Sequence, residues 1–230
     1  GEAAAKHTTL MIDRLLCEPD VAVIEVLCDS ITRLRKYAVQ HAARVAAKLE
    51  HFDESVVFGA VRALECLGPE AAAPHVKTLA RCLRHSDPTV RATVLSLLGS
   101  MGKHAAKHSA EIAATLDDKD SDVRLMGLDA LGQLGALAAE HIGKVAARAQ
   151  SGRSEEIRAK AIEVLSRFGK HAAPHIGILI GALSDPCLEP RRAAMGTLSW
   201  LKRFMTPADA AAVASMLTSP RADVAFGAMS

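Results

Sequence analysis

The chain has 230 residues, half of them apolar, and its 28 Lys and Arg against 26 Asp and Glu leave a net charge of +2. This composition suffices for a buried core and lacks the basic excess typical of proteins that bind nucleic acid or acidic membranes. No apolar run is long enough to span a bilayer, no basic-then-apolar leader opens the chain, and the five cysteines form no C-x-x-C pair. The composition predicts an intracellular, cytoplasmic protein without membrane insertion.

The first predicted element begins partway through a repeat. Gly1 aligns with Gly169, so that GEAAAKH (1–7) starts the second helix of a unit whose first helix is missing. The first helices of the units that follow are VIEVLCDSITRLR (23–35), VVFGAVRALECLG (56–68), VRATVLSLLGSMG (90–102), VRLMGLDALGQLG (123–135), IRAKAIEVLSRFG (157–169) and PRRAAMGTLSWLK (190–202). We call these six segments the Val–Arg helices, after the opening pair of the clearest copies.

The Val–Arg segments have the apolar pattern of amphipathic helices. In the third copy, Val90, Val94, Leu97 and Met101 fall at i, i+4, i+7 and i+11. The three clearest copies end on a glycine, where a left-handed cap is expected: Gly102, Gly135 and Gly169. Each unit is therefore predicted to continue, after a turn, as a second helix.

Prolines and a threonine indicate where these second helices begin. Pro74 and Pro174 suit the first turn, where a missing N–H costs nothing. In the last unit, Thr206 is predicted to cap a helix that starts at Pro207.

The end of the chain also falls inside the pattern, because SPRADVAFGAMS (219–230) stops within a further Val–Arg helix. Residues 1–230 are therefore expected to form a single repeat domain cut from a longer array. Since a solenoid normally ends on a polar capping face, Val224 and Phe226 are expected to be exposed or paired with another copy. This predicts end-to-end self-association, in which the partner is a second copy of the chain.

A histidine recurs near the start of the second helices, at spacings of 34, 34, 33, 33 and 34 residues. These ladder histidines are His7, His41, His75, His108, His141 and His175. Two of them belong to i, i+4 pairs, His104/His108 and His171/His175, a spacing that can hold zinc. Stacked helices lie about 8–10 Å apart, too far for ladder members to share an ion, so we expect no metal and no cofactor. We predict a structural joint in which the imidazole bonds a carbonyl freed at the preceding helix end.

The repeats predict an all-α solenoid, because a helix pair of this size must stack on neighbours to bury its apolar face. The signatures of tetratricopeptide and ankyrin repeats are absent. The segments LDDKDSDVRLMGLDALGQLG (116–135) and LSDPCLEPRRAAMGTLSWL (183–201) resemble HEAT repeats of the short variety found in phycobilisome lyases and many scaffold proteins. The resemblance implies a right-handed, armadillo-like superhelix of about seven antiparallel helix pairs, each of 33–34 residues.

Some proteins with HEAT-like repeats are enzymes, and the motifs of their active sites can be sought in this sequence. Deoxyhypusine hydroxylases are HEAT-like and bind iron through His-Glu dipeptides, yet none of the ten histidines here is followed by Glu. No nucleophile elbow, P-loop or dinucleotide fingerprint occurs, and nothing marks a chromophore pocket. We expect no enzyme activity, and a HEAT-type lyase or other enzyme is the least favoured alternative.

An arginine opens four of the Val–Arg helices: Arg91, Arg124, Arg158 and Arg191. One interpretation is a basic stripe for phosphates, and hence nucleic-acid association. The other, which the HEAT resemblance favours, is pairing with turn acids such as Asp87, Asp118 and Asp185. We prefer the second, and nucleic-acid binding remains the alternative function.

The candidate binding face lies opposite the core stripe of the Val–Arg helices, and the resemblance places it on the concave side. The candidate protein-binding residues are Arg62, Thr93, Ser96, Met126, Asp129, Gln133, Lys160, Glu163, Arg167 and Trp200. Equivalent positions are occupied by Gly59, Cys66, Ser100, Ala193 and Gly196. Because this face varies over a repeating core and has mixed charge with one Trp, it predicts a non-enzymatic scaffold that binds a protein or peptide.

Overall fold

A computed structural model of the chain describes residues 2–151 and 154–217, which form helices and connecting turns without any strand. The α-helices are α1 (Glu2–Leu15), α2 (Val21–Arg33), α3 (Arg35–Ala38), α4 (Ala42–Ala46), α5 (Glu54–Leu67), α6 (Pro69–Ala72), α7 (Val76–Cys82), α8 (Pro88–Ser100), α9 (Ser109–Ala114), α10 (Ser121–Leu134), α11 (Ile142–Ser151), α12 (Glu155–Ser166), α13 (Ile176–Ala182), α14 (Leu188–Leu201) and α15 (Pro207–Leu217). The 3-10 segments are Val39–His41, Ala47–Glu50, Ala73–His75, Gly102–His104, Ala106–His108, Thr115–Asp117, Gly135–His141, Gly169–His175 and Lys202–Phe204. The predicted all-α class is confirmed.

The Val–Arg helices are α2, α5, α8, α10, α12 and α14. Several begin at a side-chain cap: the Asp53 carboxylate accepts from the N–H of Ser55 at 2.9 Å, and the Asp87 carboxylate accepts from that of Thr89 at 2.6 Å. The apolar stripe predicted for α8 is buried, and Leu95, outside that stripe, is fully buried as well. The buried face is wider than the sequence pattern indicates because α5 packs along one side of α8.

The predicted glycine caps are confirmed. Gly102, Gly135 and Gly169 have φ of +52°, +51° and +57°. This left-handed conformation reverses the chain after a Val–Arg helix and suits glycine, which has no Cβ to clash with the carbonyl.

The second helix of most repeats differs from the prediction. It is a 3-10 stretch followed by a short α-helix, as in Ala73–His75 before α7 and Gly169–His175 before α13. Pro74 and Pro174 therefore lie in 3-10 segments and not in the first turn of the α-helix. A tighter i→i+3 turn accommodates a residue that has no N–H to donate.

The last described helix, α15, starts as predicted. The Thr206 hydroxyl accepts from the N–H of Asp209 at 3.2 Å, and the Asp209 carboxylate accepts from the N–H of Thr206 at 2.8 Å. This reciprocal capping leaves Pro207 at the first helical position.

The chain divides into two compact units, Gly1–Ala130 and Leu131–Ser230. In the first unit α2 packs on α5 and α5 on α8, and in the second α12 packs on α14. Repeated side-by-side packing of helix pairs is the α-solenoid arrangement, which is thereby confirmed. A single domain over residues 1–230 stays a prediction, and the contact expected of Val224 and Phe226 lies outside the described residues.

Candidate functional site

Apart from His7, which lies within α1, the ladder histidines lie at the joint between the 3-10 segment and the α-helix of each repeat. His41, His75, His108 and His175 are the residues immediately before α4, α7, α9 and α13. The described ring contacts go to side chains and not to the expected carbonyl. His41 Nε2 lies 3.2 Å from the Thr9 hydroxyl, and His108 Nδ1 lies 3.1 Å from the Glu111 carboxylate.

The His104/His108 pair does not converge on a common point. His104 contacts Glu70 in the preceding repeat, at 3.2 Å, whereas His108 contacts Glu111 on its own helix. The hydrogen bond from His108 holds the pKa of the Glu111 carboxyl below its usual value. In residues 2–151 and 154–217, no group of three or more His, Cys, Asp or Glu side chains is placed to hold a metal ion.

The Arg ladder of the first unit is an ion-pair network between repeats. Arg91 donates through Nε and Nη2 to the Asp118 carboxylate of the next repeat, at 2.9 and 2.7 Å. Its Nη1 donates to the carbonyls of His85 and Ser86, both at 2.8 Å. The Arg91 side chain is only 4% exposed. Burial raises the pKa of Asp118, but the hydrogen bonds and charge of Arg91 outweigh burial and lower it.

The same arrangement recurs in the second unit. Arg158 donates to the Asp185 carboxylate through Nε and Nη2, at 2.7 and 2.8 Å. Arg191 Nη1 donates to the carbonyl oxygens of Asp185 and Pro186, at 2.7 and 3.0 Å. The hydrogen bonds from Arg158 hold the pKa of the Asp185 carboxyl below its usual value.

The pairing of ladder arginines with turn acids is therefore found for Asp118 and Asp185. Asp87 behaves differently, since its carboxylate caps α8. Arg124 Nη1 donates to the carbonyls of Asp118 and Lys119, at 2.8 and 3.0 Å. Arg91 and Arg158 each hold a carboxylate through two N–H donors of the guanidinium group. The donors that could bind a phosphate are therefore already in use.

In the first unit, the candidate face is only partly accessible. Thr93, Ser96, Met126 and Asp129 are half-buried. Side chains that lie between adjacent Val–Arg helices are covered by the neighbouring helix. The periodicity of a single helix does not predict this burial.

Two equivalent positions of the first unit are not on the surface at all. Gly59 and Cys66 are buried, and a Cβ at Gly59 would lie 2.6 Å from the carbonyl oxygen of Leu15. The expectation that these two positions face solvent is wrong, because both α1 and α2 pack on α5. Arg62 is paired with Glu65, whose other oxygen accepts from Ser96 at 3.2 Å.

In the second unit, the face is more open. Gln133, Glu163 and Arg167 are exposed, and Lys160 is half-buried with its Nζ 3.8 Å from Glu163. Trp200, on α14, is 79% exposed.

Trp200 lies on an open part of α14, and two exposed cations follow it in the sequence. Gly196 lies one turn earlier on α14, and a Cβ there would meet no described atom within 4 Å. Lys170, Lys202 and Arg203 are exposed near the ends of α12 and α14, and the Arg203 guanidinium lies 4.7 Å from the Phe204 ring centroid. An exposed indole beside cations suits a partner with apolar and acidic groups.

The second unit also contains a groove of about 360 Å³ between α11 and α13. It is lined by Ala149, Gln150, Gly177, Ile178, Gly181, Ala182, Ser184 and Asp185. Asp185 is the only ionisable residue of this lining, and Arg158 already binds it. The groove therefore presents no acid, base and nucleophile together.

Sequence reasoning missed one cluster, between α2 and α5. Cys28 and Cys66 are buried there, and interaction with the Cys66 side chain and the charge of Arg62 lowers the pKa of Cys28. No motif marks this pair, because the two residues lie 38 positions apart and occupy different places in the repeat.

Comparisons with known proteins agree with the repeat architecture. Residues 76–166 match a family model of HEAT repeats. The crystal structure of an engineered protein from the Northeast Structural Genomics Consortium has a TM-score of 0.63 and 19% identity, and the match covers 86% of this chain and 97% of that one. The complex of CpcE and CpcF of phycocyanin lyase from Nostoc sp. PCC7120 has a TM-score of 0.52 and 16% identity, covering 69% of this chain and 95% of that one. At these identities the likeness concerns the fold.

A search of the curated proteins gave no match. Among the described helices, none is both long and apolar enough to cross a membrane. Residues 76–166 thus match HEAT repeats, and the stacked helix pairs with their inter-repeat Arg–Asp pairs show a HEAT-like repeat fold.

Proposed function

We propose that this chain is a non-enzymatic scaffold that binds a protein or peptide on the face of its Val–Arg helices, the concave side of HEAT-like arrays. The observation that carries the proposal is Trp200, whose large indole is 79% exposed on an otherwise well-packed helix. Exposing an indole to water is unfavourable, and exposed Trp residues are enriched among binding anchors.

The surroundings of Trp200 support a partner segment that is acidic and carries an apolar side chain. Glu163 and Glu189 are paired with Lys160 and Arg192, at 3.8 and 3.3 Å. The exposed Lys170, Lys202 and Arg203 add positive charge at the helix ends. The apolar group of the partner would pack on the indole while its carboxylates approach these cations.

Selection of short peptides tests this proposal directly. A phage-displayed library of random peptides is selected on the immobilised full chain, and the enriched sequences are synthesised and titrated by fluorescence anisotropy. We expect an acidic consensus with an apolar residue, and a loss of affinity of about tenfold or more in the Trp200→Ala variant.

The matched control is Leu137→Ala, which removes another exposed apolar side chain, 51% exposed, away from this face. It should leave the affinity unchanged. The triple variant with Arg62, Glu163 and Trp200 all replaced by Ala should abolish any binding that remains. Peptides that bind the Trp200→Ala and triple variants as tightly as the parent would refute the proposal.

Nucleic-acid binding is the competing function, and Arg91 and Arg158 argue against it because both are already bonded to carboxylates. A labelled single-stranded oligonucleotide titrated at low and at physiological salt separates the two. Retention that falls steeply with salt would favour nucleic acid. The likeness to a phycocyanin lyase complex is one of fold, and because one fold hosts many functions it does not by itself assign that activity to this chain.

We further propose an intracellular, cytoplasmic location. All five cysteines are free thiols, and Cys28, Cys66 and Cys82 are buried. Unpaired buried thiols are typical of reducing compartments.

A further inference from the structure

One face of α2 exposes apolar side chains to water. Val26 is 66% exposed and Val23 is 37% exposed. Ser30 and Arg33 continue the same face, because residues 23, 26, 30 and 33 follow the three- and four-residue spacing that lines one side of a helix. We call these four residues the α2 face. Neighbouring apolar side chains that stay exposed on one face indicate a contact surface.

In later repeats, the equivalent face contacts an earlier repeat. On α5, Gly59 holds the second position of this face, and a Cβ there would lie 2.6 Å from the Leu15 carbonyl oxygen of α1. On α14, Thr197 holds the third position, and its hydroxyl donates to the Ile162 carbonyl of α12 at 3.1 Å. The α2 face is therefore the side of the helix that the repeat architecture uses for contact between helices.

Burial along the chain separates α2 from the later Val–Arg helices. The second position is buried or half-buried in each of them, where it is occupied by Gly59, Thr93, Met126, Lys160 and Ala193. The third position is buried in all five, as Ala63, Leu97, Ala130, Val164 and Thr197. On α2 the second position is an exposed valine and the third is a half-buried serine. The contact face of the later repeats is thus present on α2 but lies open.

The order of charges along α2 indicates which partner fits this face. Exposed carboxylates lie at and after the start of the helix, at Asp20, Glu25 and Asp29, and exposed cations follow at Arg33 and Lys36. A second α2 helix laid antiparallel on the first brings the acidic part of each helix to the basic part of the other. A parallel arrangement brings like charges together, which is unfavourable. The helix is therefore complementary to itself in the antiparallel orientation.

We propose that the α2 face is the interface of a homodimer, in which α2 of a second copy packs antiparallel against it. Val26 of each copy then lies against Ser30 of the other, and Glu25 of each copy lies beside Arg33 of the other. The spacing of the α2 face matches the a and d positions of a helix–helix seam. The apolar side chains of both copies are buried at the centre of the interface, and the ion pairs lie at its edge.

The symmetry of this contact limits the assembly to two copies. Both copies use the same face, so the interface is isologous and closes on itself. End-to-end stacking of repeats would instead join two different faces and would continue into a longer chain of copies. The size of the assembly therefore separates these two kinds of self-association.

Sedimentation velocity of the full chain over a range of concentrations tests the proposal. We expect a reversible equilibrium between monomer and dimer, with no larger species. Val26→Asp should raise the dissociation constant by at least about tenfold, because it places two carboxylates in the apolar centre of the interface. Since Val26 is exposed in the single chain, this variant should keep the circular dichroism spectrum and the urea unfolding of the parent monomer.

Two variants serve as matched controls. Leu137→Asp introduces the same charge at another exposed apolar side chain, which lies in the second unit and is 51% exposed. Trp200→Ala removes the anchor of the proposed peptide-binding face. Both variants should dimerise as the parent does. Loss of the dimer in Trp200→Ala would assign self-association to that other face and overturn the proposal.

Charge exchange tests the antiparallel orientation. Glu25→Arg and Arg33→Glu should each weaken the dimer by about three- to tenfold, because each places like charges beside one another. The variant that carries both substitutions should recover the parental affinity, since opposite charges then face each other again with their places exchanged. A chain that stays monomeric, one that grows beyond a dimer as its concentration rises, or a double variant that fails to recover would overturn the proposal.

Discussion

At the scale of single residues, the Arg–Asp pairs are charged side chains that the sequence would place at the surface but that are largely buried in the structure. A charged residue near a turn is usually a solvated side chain, yet Arg91 is 4% exposed and its partner Asp118 is 13% exposed. Burying such a pair is tolerated because each guanidinium also reaches turn carbonyls and so leaves few donors unsatisfied. The pairs hold successive repeats in register.

The Asp185 pair predicts an acid-sensitive contribution to stability. Arg158 lowers the pKa of Asp185 in the folded state, so the unfolded chain binds the proton more readily. The stabilisation is therefore fully present above the unfolded-state pKa of about 3.9 and is lost as the pH falls through the lower folded-state pKa. We expect Asp185→Asn to reduce the free energy of unfolding at pH 7 by about 2–4 kcal/mol, because it leaves Arg158 buried without its counter-charge.

Urea unfolding followed by circular dichroism between pH 7 and pH 2 measures this effect. The parent and Asp185→Asn should converge at the acid end, where the parent carboxylate is protonated too. Glu156→Gln, an exposed carboxyl change on the neighbouring α12, should differ little from the parent. Parallel curves for parent and Asp185→Asn would show that the ion pair does not carry the pH dependence.

At the scale of elements, the turns after α8 and α10 depend on glycine for two separable reasons. Gly102 and Gly135 have nearly the same φ, +52° and +51°. A Cβ at Gly135 would also lie 2.9 Å from the Arg167 carbonyl oxygen, whereas one at Gly102 would meet no described atom within 4 Å. An alanine at either glycine would therefore lose stability through the left-handed backbone. At Gly135 it would also lose stability through packing between repeats.

Alanine substitution at these two glycines separates the costs. Gly102→Ala should lower the free energy of unfolding by about 1–2 kcal/mol, through the left-handed backbone alone. Gly135→Ala should lower it by roughly 1–3 kcal/mol more, because the added methyl forces the neighbouring carbonyl to move. Equal losses in urea unfolding would mean that the contact relaxes without cost.

At the scale of the whole molecule, hairpins within each unit contact their neighbours in sequence, as α2 contacts α5 in the first unit and α12 contacts α14 in the second. Stability in such an array is a sum of repeat and nearest-neighbour terms, so a local change has a local effect. The two compact units, divided at Ala130 and Leu131, fit this behaviour.

Hydrogen exchange monitored by mass spectrometry tests this locality. Asp185→Asn should reduce amide protection in α12, α13 and α14, while α5 and α8 in the other unit should keep parental protection. Glu156→Gln again serves as the unchanged reference. A uniform loss of protection over both units would instead indicate one cooperative core.

The sequence by itself determined the period, the helical class, the glycine caps and the start of the last described helix, but not where the other second helices begin. These depend on short-range physics: apolar spacing along one helix, glycine where φ is positive, and caps such as Thr206 with Asp209. The HEAT resemblance also anticipated the pairing of Asp118 and Asp185 with arginines, although Asp87 caps a helix instead.

Only the tertiary structure decided which face positions are accessible and which side chains meet. Gly59 and Cys66 share the helical positions of exposed residues in later repeats, yet the first hairpin covers them. Cys28 and Cys66 are both buried, while Trp200 stays open. The apolar periodicity of a helix predicts which of its sides packs within its own hairpin. Exposure and contacts between repeats depend instead on the helix of the neighbouring repeat. No local sequence pattern encodes that neighbour.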